Sequence, residues 1–252
     1  MKRLMPIFIV ILLSGCGILT AYAPNMLSMI VVAVMGVVVL LGIIYGLIPV
    51  LTFTQGLLTG QKSIQRASEA EEKSVWITAL QMDRFFRQKK MDQLFREYRD
   101  KVKQQRQNGQ IVSDLEDILN EDVLALYSWQ GVVAQIPGTL TGLGILGTFI
   151  GLLRGLRNIN FVTVEAALSS VQSILTGIDT AFYTSIAGVI LSILFNISNN
   201  ILRNTMDREM GIFLEVFHRV VLPTTQEQER YRSRRETRQI MDLLDRLPKK
   251  DD

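Results

Sequence analysis

The sequence predicts an all-α, multi-pass membrane protein: four transmembrane helices, a cytoplasmic helical domain and a helical stalk. Two observations carry that prediction. The chain is 48% hydrophobic over 252 residues, and its apolar residues are bunched rather than spread as in a soluble core. No charged residue occurs within 4–61 or 123–153, and within 166–202 there is only Asp179. A helix needs roughly 20 residues to cross a hydrocarbon core of about 30 Å. The first run is long enough to cross twice, and Pro24-Asn25 supplies the turn.

Spans are therefore expected at 4–23, 26–52, 131–156 and 168–202. They divide the chain into an N-terminal helix pair (1–53), a cytoplasmic helical domain (54–130), a second helix pair (131–202) and a stalk with a C-terminal helix (203–252). Orientation follows lysine and arginine, which cytoplasmic flanks carry in excess. Lys2 and Arg3 precede the first span, and 54–107 holds twelve Lys or Arg against seven Asp or Glu. Arg230, Arg232, Arg234, Arg235 and Arg238 follow the last span. Both termini and the large loop are thus expected on the cytoplasmic side of a bacterial inner membrane, with the short connections near Pro24 and at 157–166 facing outward. Juxtamembrane basic residues account for the net charge of +3, so no nucleic-acid partner is implied.

The first span carries the only cysteine, Cys16, which excludes a disulfide within one chain. Leu13-Ser14-Gly15-Cys16 after a basic start has the form of a lipoprotein signal, with Cys16 as the lipidation site. The other reading is an ordinary span with a passive cysteine. In the loop, Trp76, Leu80, Phe86, Leu94, Phe95 and Tyr98 lie among charges as on soluble helices, with a break at Gln107-Asn108-Gly109. Tyr127 and Trp129 sit where an interfacial aromatic belt is expected. Beyond Leu202, Met206, Met210, Phe213, Phe217 and Val220 keep helical spacing, which predicts a stalk ended by Pro223. A last amphipathic helix is expected to present Ile240, Leu243, Leu244 and Leu247.

The third span begins with IPGTLTGLGILGTFIGLL at 136–153, which has five glycines and three threonines. Its GxGxxG string, Gly142 to Gly147, lies inside an uncharged membrane run rather than between a strand and a helix, so it is not a dinucleotide-binding turn. No metal or cofactor is expected beyond a transported ion, H⁺ or Na⁺. Gly144, Thr148, Gly151 and Gly155 share one helical face, as do Gly177, Ala181, Ser185, Gly188 and Ser192 in the fourth span. Small faces, Gly147 included, pack helices closely. Hydroxyls among them can also line a wet path. Thr148 lies about 14 Å from Arg157 and Ser185 about 27 Å from Arg203, which puts both hydroxyls at similar depth. Thr176, Thr180 and Thr184 form an adjoining stripe, and Asp179 is an acid inside a span, a functional candidate by default.

At these residues the sequence resembles the MotA/TolQ/ExbB family of ion-driven motor subunits. The resemblance rests on Leu146-Gly147-Thr148 in one span and Thr184-Ser185-Ile186-Ala187-Gly188 in the next, and covers roughly 131–202. Thr180-Ala181-Phe182-Tyr183-Thr184-Ser185 is most similar to the ZorA group of Zorya anti-phage systems, whose members carry a long cytoplasmic tail. The resemblance implies a non-enzymatic motor or stator subunit. It also implies a homopentamer around two copies of a single-span, aspartate-bearing partner of the ExbD, TolR, MotB or ZorB kind. Thr148 and Ser185 match the hydroxyls that face that aspartate, with Thr184, Asp179 and Thr180 beside them on the expected ion path. ExbB has a glutamate where this chain has Thr180. A flagellar MotA-like or ExbB/TolQ-like energiser and a non-conducting membrane scaffold remain the competing expectations.

Overall fold

A computed structural model of the chain describes residues 5–69, 80–108, 110, 112–157, 159 and 162–222, together with 229, 230, 233, 234, 237, 240 and 241. Every regular element among them is helical. Trp76, Gly109, Pro223, Leu243, Leu244 and Leu247 lie outside the described residues. The chain divides into two compact units, Met1–Thr52 with Leu124–Asp207, and Phe53–Val123 with Arg208–Asp252.

In the first unit, α1 spans Met5–Ala21. Its hydroxyls turn back on their own helix, Ser14 to the Ile11 carbonyl at 3.0 Å and Thr20 to that of Cys16 at 2.8 Å. That is how a short polar side chain is satisfied without water. Helix α2, Met26–Gly42, starts at Asn25, whose side chain accepts from the Ser28 amide while Ser28 accepts from the Asn25 amide. This reciprocal cap makes the Pro24-Asn25 turn. A π-helical turn, Ile43–Leu47, continues α2 into α3, Ile48–Glu69. Pro49 explains it: proline has no N–H to give the Tyr45 carbonyl, and the Ile48 amide slips to the carbonyl of Ile43. The rod therefore continues past the boundary expected at residue 53.

Helix α5, Glu121–Tyr127, and the single turn α6, Gln130–Val133, lead into α7, Ile136–Leu156, which has proline in its first turn. Trp129 joins α5 to α6 in the left-handed region, φ 51°, and its ring lies 6.2 Å from that of Tyr45. Helix α8 begins at Val164, earlier than the expected 168, and reaches Val220. Its 57 residues span about 86 Å at 1.5 Å per residue, far more than a bilayer core requires.

Among the described residues, three helices are long and apolar enough to cross a membrane: Met26–Arg66, Gln130–Leu156 and Val164–Val220. Four were expected. Helix α1, with 17 residues, covers about 25 Å and falls short of that length on its own.

The second unit holds α4, Lys89–Gln107, which packs an aromatic core. Phe85 stacks on Phe95 at 4.4 Å, and Phe86, Tyr98, Phe213 and Phe217 close around them edge-on or tilted. Asp92 accepts from the Phe86 amide at 2.8 Å, tying the segment before α4 to its first turn. Tyr98 donates to the Ser113 carbonyl at 3.1 Å. Of the spaced apolar residues at the end of α8, Phe213 and Phe217 are buried, but Val220 is exposed and Val221 takes its place inside.

Candidate functional site

Helices α7 and α8 lie antiparallel along a seam of glycines. A Cβ placed on Gly177 would stand 2.6 Å from the Gly151 carbonyl oxygen and 2.8 Å from the Gly155 Cα; one on Gly188 would stand 2.8 Å from the Leu140 carbonyl oxygen. Only glycine permits backbones to come this close. Gly144, Gly147, Gly151, Gly155, Gly177, Ala181 and Gly188 are all buried at this contact. The register is constant. Pro137 meets Ser192, Gly144 meets Ser185, Thr148 meets Ala181 and Gly155 meets Ile174.

Adjacent residues on a helix point about 100° apart, so the seam has two edges. Gly147 abuts Thr184, which is fully buried and bonds back to the carbonyls of Thr180 and Ala181 at 2.9 and 3.2 Å. Thr180, one turn away, is 3% exposed, donates to the Thr176 carbonyl at 2.8 Å and accepts from Asn25 Nδ2 at 2.5 Å. Tyr183 donates to the Leu19 carbonyl. The turn between α1 and α2 covers this edge. The threonine stripe of α8 thus divides: Thr180 and Thr184 are buried in packing, whereas Thr176 is exposed.

The other edge carries Thr148 and Ser185, both half-buried. Thr148 Oγ1 donates to the Gly144 carbonyl at 3.1 Å and reaches across to that of Ala181 at 3.4 Å. Ser185, one turn from Ala181, has no side-chain hydrogen-bond partner among the described residues. The two hydroxyls expected at equal depth therefore share the edge that the α1–α2 turn leaves uncovered. Asp179 is exposed, and its place two residues from Ala181 turns it away from α7.

Cys16 is half-buried in α1 and faces Gly36 of α2. Among the described residues, no group of three His, Cys, Asp or Glu could hold a metal ion. A groove in the second unit is lined by Asp114, Glu116, Leu214, Glu215, His218 and Arg219. Its charges are largely spent on one another, His218 Nδ1 lying 2.5 Å from Asp114 and Arg219 pairing with Glu215.

The sequence reading missed Asn25 and Tyr183, which tie the α1–α2 pair to α8. Their signal was a carboxamide and a phenol beside apolar runs, where each needs a hydrogen-bond partner.

Residues 12–205 match the family model of the anti-phage protein ZorA of the Zorya type I system. The chain belongs to this ZorA-like family. It is 47% identical over 60 residues to the Zorya protein ZorA of Escherichia coli strain Crooks, a stretch that is 24% of this chain and 10% of that relative. A second Zorya protein ZorA, from Escherichia coli O139:H28 strain E24377A, is 43% identical over 60 residues, again 24% of this chain and 8% of the relative. The aligned stretch is thus a small part of either relative. The ZorA-like match at 12–205 takes in both helices of the glycine seam and both of its half-buried hydroxyls.

Proposed function

We propose that this ZorA-like chain is an ion-driven motor or stator subunit that serves anti-phage defence, and that ions pass along the Thr148–Ser185 edge of the α7–α8 seam. One observation carries the reading. Two half-buried hydroxyls lie near mid-seam on the edge that the α1–α2 turn leaves uncovered, while the acid nearest in sequence, Asp179, points away. A path with polar walls and no carboxylate of its own calls for a carrier from another chain.

That carrier is an aspartate on a single-span partner of the ExbD, TolR, MotB or ZorB kind. Two copies stand inside a homopentamer of this chain, in the inner membrane, with both termini cytoplasmic and α1 completing four spans. A proton entering from outside neutralises the aspartate, which can then pass the apolar wall, and release follows inward past Ser185 and Thr148. One charge crossing 100 mV is worth about 2.3 kcal/mol, enough to favour one direction of stepping by roughly fiftyfold. The chain has no catalytic step.

The test is Thr148→Val with Ser185→Ala, changes that remove hydroxyls and nearly keep volume. Proteoliposomes holding the chain with its partner should lose proton uptake, and cells should lose phage protection, with the assembled mass unchanged. Full activity in the double variant would remove the proposed path. A scaffold that only packs helices is the second reading, favoured by the close contacts, mostly to backbone, that a Cβ at each seam glycine would meet. It predicts no uptake from the wild-type complex.

A further inference from the structure

Two carboxamides deep in the first unit have hydrogen-bonding capacity that the chain leaves unused. Gln130 is 5% and Asn199 7% exposed. Both Oε1 and Nε2 of Gln130, and Oδ1 of Asn199, are buried without a hydrogen-bond partner among the described residues. Interiors seldom leave such atoms unpaired, because each gave up its hydration on burial.

Carried two turns beyond its outermost hydrogen-bonded pair, the register of the seam sets the two level. The Ser192 hydroxyl donates to the Pro137 carbonyl at 2.9 Å, fixing one pair across the helices. Gln130 lies seven residues before Pro137, and Asn199 seven after Ser192. Seven residues are close to two turns at 3.6 per turn, so each carboxamide keeps the face of its reference residue. The turn α6 leads into α7 through Ala134 and Gln135, both of right-handed helical backbone, so the register extends back to Gln130. Ser185, Ser192 and Asn199 follow one another at the same interval, a polar line of steps of about 10 Å from mid-seam toward the Arg203 end of the span.

We infer that Gln130 and Asn199 hold a buried water between them, and that this water is the inner relay of the proton path. The unused atoms specify the ligand. They comprise two acceptors and one donor; a bare cation would satisfy the oxygens and leave Nε2 unpaired, whereas a water both donates and accepts. A proton can hop through that water as a transient hydronium, which the two carbonyl oxygens stabilise, and no bond to the protein is made or broken. A station of this kind favours protons over sodium. The relay role rests on the ion path proposed above; the water site itself does not.

Two measurements test it. A cryo-electron-microscopy map of the chain with its partner in lipid nanodiscs, at a resolution that shows waters, should place density within hydrogen-bonding distance of both carboxamides. Carboxamides bonded directly to each other or to protein groups, with no such density, would overturn the site. In proteoliposomes carrying a pH-sensitive dye, Gln130→Leu with Asn199→Leu should slow proton uptake at least tenfold at unchanged assembled mass. Asn199→Ser, which keeps a hydroxyl, should retain most of it. Undiminished uptake in the double-leucine variant overturns the relay. Full uptake in the Thr148→Val, Ser185→Ala variant overturns the ion path instead, and the water density still decides the site.

Discussion

Replacing Gly177 with alanine inserts one methyl group where the α7 backbone already stands. The new Cβ would lie 2.6 Å from the Gly151 carbonyl oxygen, 2.8 Å from the Gly155 Cα and 3.1 Å from the Gly155 nitrogen. Non-bonded heavy atoms rest at about 3.5–4.0 Å, so α7 and α8 must part by roughly 1 Å. These neighbours are backbone and cannot rotate aside as a side chain would. A gap of that size forfeits a quarter to a half of each contact along the seam, and overpacking of this kind costs about 1–3 kcal/mol. Lipid supplies no compensating hydrophobic drive between helices. The Thr148 bond to the Ala181 carbonyl, already 3.4 Å, would open at the same time. Reversible unfolding in mixed detergent micelles measures the loss, with Gly142→Ala as the control, since a Cβ there meets nothing within 4 Å. Alanine at 142 should be neutral or stabilising by up to about 1 kcal/mol. Equal stability of the Gly177→Ala and wild-type proteins, or equal loss at 142 and 177, would refute the seam geometry.

Two further predictions concern other parts of the chain. Thr180→Val leaves the Asn25 amide without the acceptor now 2.5 Å away, a loss of about 0.5–1.5 kcal/mol. Cys16, the one cysteine, faces Gly36 across the α1–α2 pair; its maleimide labelling should quicken about two- to tenfold, and an unchanged rate would show that Thr180 does not hold the turn. Burial, then the charges of Asp114 and Asp117, push the Tyr98 phenol above its ordinary range. The folded protein therefore keeps a proton that the unfolded chain releases near pH 10, so this stabilisation is complete below that pH and is lost as pH rises beyond it. Melting temperatures should fall above roughly pH 10, and Tyr98→Phe should flatten that slope.

Much of the fold was legible because hydrocarbon leaves a chain few options. The uncharged runs at 26–61 and 123–153, and the run at 166–202 whose one charged residue is Asp179, must satisfy their backbones internally, hence helices. Asn25 next to Pro24 marked the turn, and the spacing of Gly144, Gly151 and Gly155 against Gly177 and Gly188 marked the faces that meet. Pro49, by contrast, lies inside the span expected at 26–52, and spacing gave no sign of the π turn that absorbs it or of the helix running on to Glu69. Nor could residue spacing choose between Thr184 and Ser185. The two are neighbours about 100° apart, and both border the same partner helix.

The sequence by itself determined that the chain is a helical membrane protein with two small-residue faces bearing hydroxyls at matching depth. Composition and period settle that much, since each depends only on local spacing and on transfer from water to lipid. Which edge of the seam stays open depended on where the α1–α2 turn lands, through Asn25 on Thr180 and Leu19 on Tyr183. The register that sets Gln130 level with Asn199 likewise required the offset of two antiparallel helices, anchored by Ser192 on Pro137. Both are set by contacts between residues more than fifty positions apart, and only the tertiary structure decides those.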